Sequence, residues 1–316
     1  MSSFLGIDTS NYTTSVAVCF ADGTIHHAKR LLPVKSGEKG LRQSDAVFHH
    51  VNQLPEVFEQ ATINLSPLSN LTAVGVSSRP RDEVGSYMPC FNVGASFAKA
   101  ISQVLGVPCY EFSHQVGHIA AALFSAKKLE LLQQKFLAFH VSGGTTEAVL
   151  VTPDEKNLIK TQIVAKTLDL NAGQLVDRVG VTLGLNFPAG AALEKLALQC
   201  DDEFKIKPTL KDCDCCLSGV ENLCAKMKSE QQNDEKIARF CIEYVGITLE
   251  NMHNKLLKKL GEMPVLFAGG VMSNSIIRQR LQSKFDAVFG KPEFSSDNAV
   301  GVAVLAAIKA GNFLCK

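Results

Sequence analysis

The chain has 316 residues, is 46% hydrophobic and carries a net charge of +1. That composition supports real cores and excludes a disordered chain. It also lacks the bulk positive charge of a general nucleic-acid binder, so any such surface must be local.

Ten cysteines would suit disulfides in a small secreted domain. This chain is long, and Met1-Ser2-Ser3 leads straight into a strand with no basic and apolar leader. A reducing cytoplasm is the expected setting, with most cysteines acting as small apolar residues. The longest apolar run, residues 299–308, falls short of the roughly 20 residues a membrane span needs, so no membrane association is expected.

Taken in order, residues 4–7, 14–20 and 25–32 read as three consecutive strands, the last two joined at Asp22-Gly23. Residues 33–40 form a turn-rich loop, with Lys29, Arg30, Lys35, Lys39 and Arg42 around it. It is either a solvated loop or a surface for an anionic partner. Residues 44–61 are amphipathic through Val47, Val51, Leu54 and Phe58, and Pro55 is expected to kink or split this helix. A short buried strand at 72–76, a charged turn at Arg79-Pro80-Arg81-Asp82-Glu83, a helix ending near Leu105 and a strand at 107–110 follow. Such spacing favours parallel pairing in an α/β sheet.

A helix opens at Ser113 as its capping serine and runs to residue 123. After a hairpin at 136–150 come helices at 172–183 and 191–200, an irregular insert at 201–216, and long helical patterns at 220–228 and 234–260. A strand at 265–268, a helix at 274–282, a strand near Val288 and a helix at 296–310 close the chain.

One stretch occurs twice. Residues 136–150 read strand, Ser142-Gly143-Gly144-Thr145-Thr146, strand; residues 4–18, moved by 132 positions, overlay them without a gap. Phe4 falls on Phe136, Leu5 on Leu137, Ser10 on Ser142, and Thr13 and Thr14 on Thr145 and Thr146. Two like hairpins imply a duplicated domain. The expected division is a first lobe over 1–130 and a second over 131–316, with a helical insertion at about 172–260 and the last helix packing back on the first lobe.

Several patterns bear on chemistry. The Ser142–Thr146 turn is either an ordinary hairpin turn or a nest of amide N–H groups for an anion, its two glycines allowing positive φ. His114 and His118 stand at i and i+4, on one helix face. They form half of a metal site or are two unrelated polar residues. Gln115 occupies the place of the general base in the zinc-peptidase helix and cannot act as one. Ala268-Gly269-Gly270-Val271-Met272-Ser273-Asn274 follows a strand and opens a helix, an arrangement that suits an anion or simply a turn. Asp297 either caps the last helix or supplies a carboxylate to a metal. Cys213, Cys215 and Cys216 form a thiol cluster with no second cluster at zinc-finger spacing.

In this order the pieces resemble one family. Leu5-Gly6-Ile7-Asp8-Thr9-Ser10, His114-x-x-Gly117-His118, Ser142-Gly143-Gly144, Asp177, Phe187-Pro188-Ala189-Gly190, Leu217-Ser218-Gly219, Gly269-Gly270-Val271 with Asn274, and Asp297-Asn298-Ala299 resemble the motifs of TsaD, the glycoprotease-like family that completes threonylcarbamoyladenosine in tRNA. The resemblance implies the two-lobed actin, sugar-kinase and Hsp70 (ASKHA) fold, α/β in class. It implies one divalent metal, iron or zinc, on His114, His118 and Asp297. It implies an adenylate-type nucleotide held by Ser142, Gly143, Gly144, Thr145, Thr146, Asp177, Gly190 and Asn274. The implied reaction transfers threonylcarbamoyl from threonylcarbamoyl-adenylate to N6 of the adenosine 3′ of the tRNA anticodon. tRNA and small TsaB-like and TsaE-like proteins are the implied partners. The chain departs from the family at Asn11-Tyr12-Thr13, Val116, Thr145 and Arg79-Pro80-Arg81-Asp82. A paralogue with another carbamoyl transfer, an ASKHA phosphotransferase and a nucleotide-binding scaffold subunit are the alternatives.

Overall fold

Residues Ser3–Ser10 (β1) and Thr13–Phe20 (β2) pair antiparallel, and the run is buried along almost its whole length. Ile25–Leu31 (β3) continues the meander, while Leu71–Arg79 (β4) and Cys109–Ser113 (β5) add in parallel, giving the order β3-β2-β1-β4-β5. In the computed structural model, residues 1–10, 12–33, 41–63, 65, 70–295 and 297–312 are described. Asn11, residues 34–40 with Lys35 and Lys39, and Ser296 lie outside them.

The chain falls into two compact units, the first made of Met1–Gln134, Thr152–Thr161 and Glu293–Lys316, the second of Lys135–Val151 and Gln162–Pro292. In the first, Gln43–Thr62 (α1) and Phe91–Leu105 (α2) cover one face of the sheet. There Thr14 meets His50 of α1 at 2.8 Å, and Thr9 bonds Cys90 at 2.9 Å beside α2. His114–Ser125 (α3) and the last helix pack together, and the last helix lies on β1, β2 and β4. Gly301 of that helix makes this possible: a Cβ there would stand 1.8 Å from the Gly117 carbonyl oxygen of α3. The two backbones touch.

Pro55 does not split α1, which runs through it without a break. The carbonyl that loses its intrahelical partner belongs to Val51, which is 55% exposed, so water can take that bond.

The second unit repeats the plan. Phe136–Val141 (β6), Thr146–Asp154 (β7) and Leu158–Lys166 (β8) form the meander, and two later strands, Val265–Ala268 (β11) and Ala287–Phe289 (β12), add beside β6 to give β12-β11-β6-β7-β8. The Phe4–Cys19 pair of the first hairpin, moved by 132 positions, becomes the observed Phe136–Val151 pair of the second. The likeness read from sequence is therefore a likeness of register as well as of pattern. A strand at β8 was not expected from sequence; its lysines at 160 and 166 hide the alternation.

Between β8 and Val265–Ala268 (β11) lie Ala172–Thr182 (α4), Gly190–Ala197 (α5), a small hairpin of Thr209–Lys211 (β9) and Asp214–Cys216 (β10), Ser218–Ser229 (α6) and Asp234–Leu260 (α7). Ser275–Gln282 (α8), Ala287–Phe289 (β12) and, in the first unit, Val300–Lys309 (α9) end the chain. The segment read as irregular at 201–216 thus contains a hairpin, which places the cysteine cluster in the core. Cys213 is 3% and Cys215 0% exposed, and burial pushes the Cys215 thiol up to about 12. Burial raises the Cys213 thiol as well, so these two act as small core residues.

His253 of α7 is 2% exposed, with neither ring nitrogen hydrogen-bonded among the described residues. The rings of Phe285, Phe139 and Phe267 surround it at 4.2, 6.2 and 6.4 Å. Burial lowers its pKa from 6.5 to about 4. A lowered base stays neutral in the fold while the unfolded chain takes up a proton. Its contribution is therefore complete above pH 6.5 and drains away as pH falls toward 4. That loss reaches about 2 kcal/mol at pH 5. His253→Leu is expected to raise stability at pH 7.5 by about 1–2 kcal/mol, because it removes unpaired buried nitrogens. It should also flatten the acid limb. Urea unfolding at pH 7.5 and pH 5 tests both; a variant less stable at each would show the ring to be better placed than its contacts indicate.

Candidate active site

Each unit builds one site. In the first, Ser113 caps α3 by accepting the Val116 N–H, and the following turns put both histidines on one face. Their Nε2 atoms are 3.0 Å apart, and Asp297 Oδ1 lies 3.2 Å from that of His118 and 3.5 Å from that of His114. This is the one group of three or more possible metal ligands among the described residues. Ligands about 2.0–2.1 Å from a zinc-like ion in tetrahedral geometry stand about 3.3 Å from each other. The observed spacings fit that edge, and two imidazoles with one carboxylate leave a coordination position for a substrate.

Asp8 stands behind His114. Its Oδ2 meets the His114 Nδ1 at 2.8 Å and accepts the Ser77 hydroxyl, while Oδ1 accepts the Ser10 N–H at 2.9 Å. A carboxylate can only accept from Nδ1–H, so the His114 Nε2 is the atom turned to the triad. This carboxylate–histidine pairing is the usual support of a metal-bound imidazole. Thr13 donates to Asp297 Oδ2 at 3.3 Å.

The electrostatics agree. Burial opposes charge on His114, but Asp8 and Asp297 overcome it and push the imidazole up to about 10. Burial likewise works against the charge on Asp297, and bonds to His114 and His118 hold its carboxyl well below the usual range. Asp8 is lowered through His114 and Ser77 against the same burial. Two carboxylates and two imidazoles thus balance one another in this corner.

The capping reading of Asp297 is corrected. α9 starts at Val300, and Asn298 Oδ1 accepts the Val300 N–H at 3.1 Å, leaving the Asp297 carboxylate to the histidines. Gln115 accepts from Thr161 at 3.0 Å.

In the second unit, Gly143, Asp177, Gly190 and Asn274 line one cavity of about 370 Å³, together with Glu194 and the apolar Val176, Ile242 and Ile277. That volume suits a small-molecule ligand. Asp177 Oδ1 accepts the Ala189 N–H at 2.8 Å, and Glu194 Oε1 accepts the Ser275 N–H at 2.7 Å. Among the described residues no hydrogen bond engages the second oxygen of either carboxylate. Asn274 Oδ1 caps α8 through the Ile277 N–H at 3.1 Å, so its amide N–H₂ is what remains for a ligand.

The rest of the expected loop is placed differently. Ser142 closes the turn, its N–H bonding the Thr145 carbonyl at 2.7 Å and its Oγ accepting the Thr145 N–H at 3.2 Å. Thr146 is 3% exposed and accepts the Ala172 N–H at 2.8 Å, so it serves the start of α4. Ser142, Gly144, Thr145 and Thr146 do not line the cavity. Neither Gly143 nor Gly144 adopts positive φ; open backbone, not a left-handed turn, is their contribution.

Asp8, Ser77, Thr13 and Glu194 were assigned no role from sequence. A lone Asp inside an apolar strand is a usable signal, since a buried charge needs partners.

A family model described as "TsaD: tRNA N6-adenosine threonylcarbamoyltransferase" matches residues 3–304. The chain belongs to the TsaD family. It is therefore a transferase of a tRNA-modifying family. A tRNA N6-adenosine threonylcarbamoyltransferase of Thermosipho africanus is 30% identical over 95% of this chain and 92% of its own length. Component A of the Acidaminococcus fermentans (R)-2-hydroxyglutaryl-CoA dehydratase shares the fold, with a TM-score of 0.56, 15% identity, and coverage of 98% of this chain and 100% of that one. A ROK family glucokinase from Streptomyces griseus does so with a TM-score of 0.52, 12% identity, and coverage of 97% and 100%. The fold is the ASKHA type in both units. No described helix is long and apolar enough to cross a membrane.

Proposed function

We propose that the chain transfers threonylcarbamoyl from threonylcarbamoyl-adenylate to N6 of the adenosine 3′ of the tRNA anticodon, with a divalent iron or zinc ion on His114, His118 and Asp297. The observation that carries this reading is the convergence of three ligand atoms with Asp8 braced behind one of them. What such an ion supplies when bound is Lewis acidity toward an acyl oxygen.

The chain's own residues do the rest. Asp8 fixes the His114 tautomer, and Thr13 holds the Asp297 carboxylate. The free carboxylate oxygens of Asp177 and Glu194 accept from sugar hydroxyls, while the Asn274 amide donates. In the transfer itself the N6–carbon bond forms, the carbon–oxygen bond to phosphate breaks, AMP departs and N6 loses one proton. An adenine amine is a poor nucleophile because its lone pair is delocalised, so orientation and a good leaving group carry much of the rate.

The working lobes in this reading are 1–130 with the last helix, and the remainder of 131–316. It places the protein in the cytoplasm with tRNA and small TsaB-like and TsaE-like partners. The test is incubation of the purified chain, partners added, with threonylcarbamoyl-adenylate and unmodified tRNA, followed by nucleoside mass spectrometry. A product of the threonylcarbamoyladenosine mass supports the reading, and its absence under all partner combinations counts against it. A second reading, a paralogue using another carbamoyl-adenylate, is favoured by Thr13. This residue departs from the acidic loop of the family and touches Asp297. A product of different mass would establish it.

A further inference from the structure

Ser10 ends β1, is 2% exposed, and its Oγ makes no hydrogen bond among the described residues. It stands two positions after Asp8, so both side chains leave the same face of the strand. Thr13 is its partner in register, and residues directly opposite share a face. On that face Asp8 bonds His114 at 2.8 Å and Thr13 bonds Asp297 at 3.3 Å. The unpartnered hydroxyl therefore lies beside the two residues that brace the triad.

Its neighbours in the hairpin are all engaged. Thr9 bonds Cys90 and Gly94, Thr14 bonds His50 and Gln53, and Ser15 bonds Ala299. Buried hydroxyls almost always find partners. Asp8, the carboxylate on the Ser10 face, already takes three donors: the Ser10 N–H, Ser77 and His114. A hydroxyl with a proton to give still lacks an acceptor.

We infer that Ser10 is a positioning residue whose hydroxyl donates to an oxygen of the ligand held at the His114–His118–Asp297 triad. The ligand class is an oxygen donor of carbonyl or carboxylate type, which is what an acyl substrate presents there. The inference rests on the metal-dependent reading above. It goes beyond it by giving the open side of the triad a donor from the chain.

The test uses the full chain loaded with cobalt(II), titrated with acetohydroxamate and followed by visible absorption. Ser10→Ala should take up cobalt as the wild type does and melt at the same temperature or slightly higher, because an unsatisfied hydroxyl has gone. Its acetohydroxamate affinity should fall about tenfold, the scale of one lost hydrogen bond to a charged group. Ser10→Gly removes the same hydroxyl and should show the same loss. Equal affinity in cobalt-loaded wild type and both variants overturns the Ser10 assignment alone. Loss of cobalt in the variants also overturns it, since the hydroxyl would then belong to metal retention. A wild type that takes up no cobalt overturns the metal reading itself.

Discussion

His118→Ala and Asp297→Asn are each expected to empty the triad, dropping bound metal from about one per chain to below about 0.1 and threonylcarbamoyl transfer by at least about a thousandfold. Both should leave the fold in place. His118 meets His114 and Asp297 through its Nε2, and Asp297→Asn keeps the side-chain shape while removing the charge that meets His118 at 3.2 Å. Removing one of three protein ligands costs more than the 10–100-fold typical of a supporting residue such as Asp8. His114→Ala should lose the metal too, but with a lower melting temperature. It leaves Asp8, 1% exposed, as a buried carboxylate without its cation, a situation that costs about 3–5 kcal/mol. Elemental analysis beside thermal melts separates the cases. Full metal content in His118→Ala or Asp297→Asn would end the ligand assignment.

Gly173→Ala is expected to weaken nucleotide binding about a hundredfold while metal content stays at the wild-type level. Gly173 is the second residue of α4, where its N–H bonds the Ser142 carbonyl at 3.1 Å. A Cβ there would stand 2.5 Å from the Gly143 N and 2.7 Å from its Cα. Those are backbone atoms, so the turn at the cavity wall must move rather than a side chain rotate. A displacement of this kind costs binding and orientation together. Calorimetry with AMP and elemental analysis on the same sample check the two halves. Unchanged AMP affinity would mean that the ligand sits elsewhere, and lost metal would mean that the substitution acts on more than the cavity.

The duplicated hairpin was legible because both copies keep the same apolar alternation around a polar turn, and the register then follows from the pattern. The histidine pair was legible for a similar reason: i and i+4 on a helix can only share a face. What local sequence could not give was long-range. Ser295-Ser296-Asp297-Asn298 has the composition of a helix cap, so the residues alone left Asp297 open between cap and metal ligand, and only the family resemblance grouped it with His118, 179 positions earlier, whose Nε2 its Oδ1 meets at 3.2 Å. Glu194 sits in a short amphipathic helix beside Lys195 and reads as a solvated charge, until Ser275 is found bonded to it at 2.7 Å. Thr146 looked like a ligand hydroxyl because composition does not tell a bond to a following helix from a site. The glycines at 143 and 144 were read for positive φ, whereas neither adopts it and a Cβ at either would meet nothing within 4 Å; the close approach of α4 rests on Gly173 instead.

The most direct test of the central claim is nucleoside mass spectrometry of tRNA from a strain lacking this gene, with and without a rescuing copy. Loss of threonylcarbamoyladenosine, restored by the wild-type chain and not by Asp297→Asn, is the predicted result. An unchanged level in the deletion strain would contradict the account and point to a different carbamoyl acceptor.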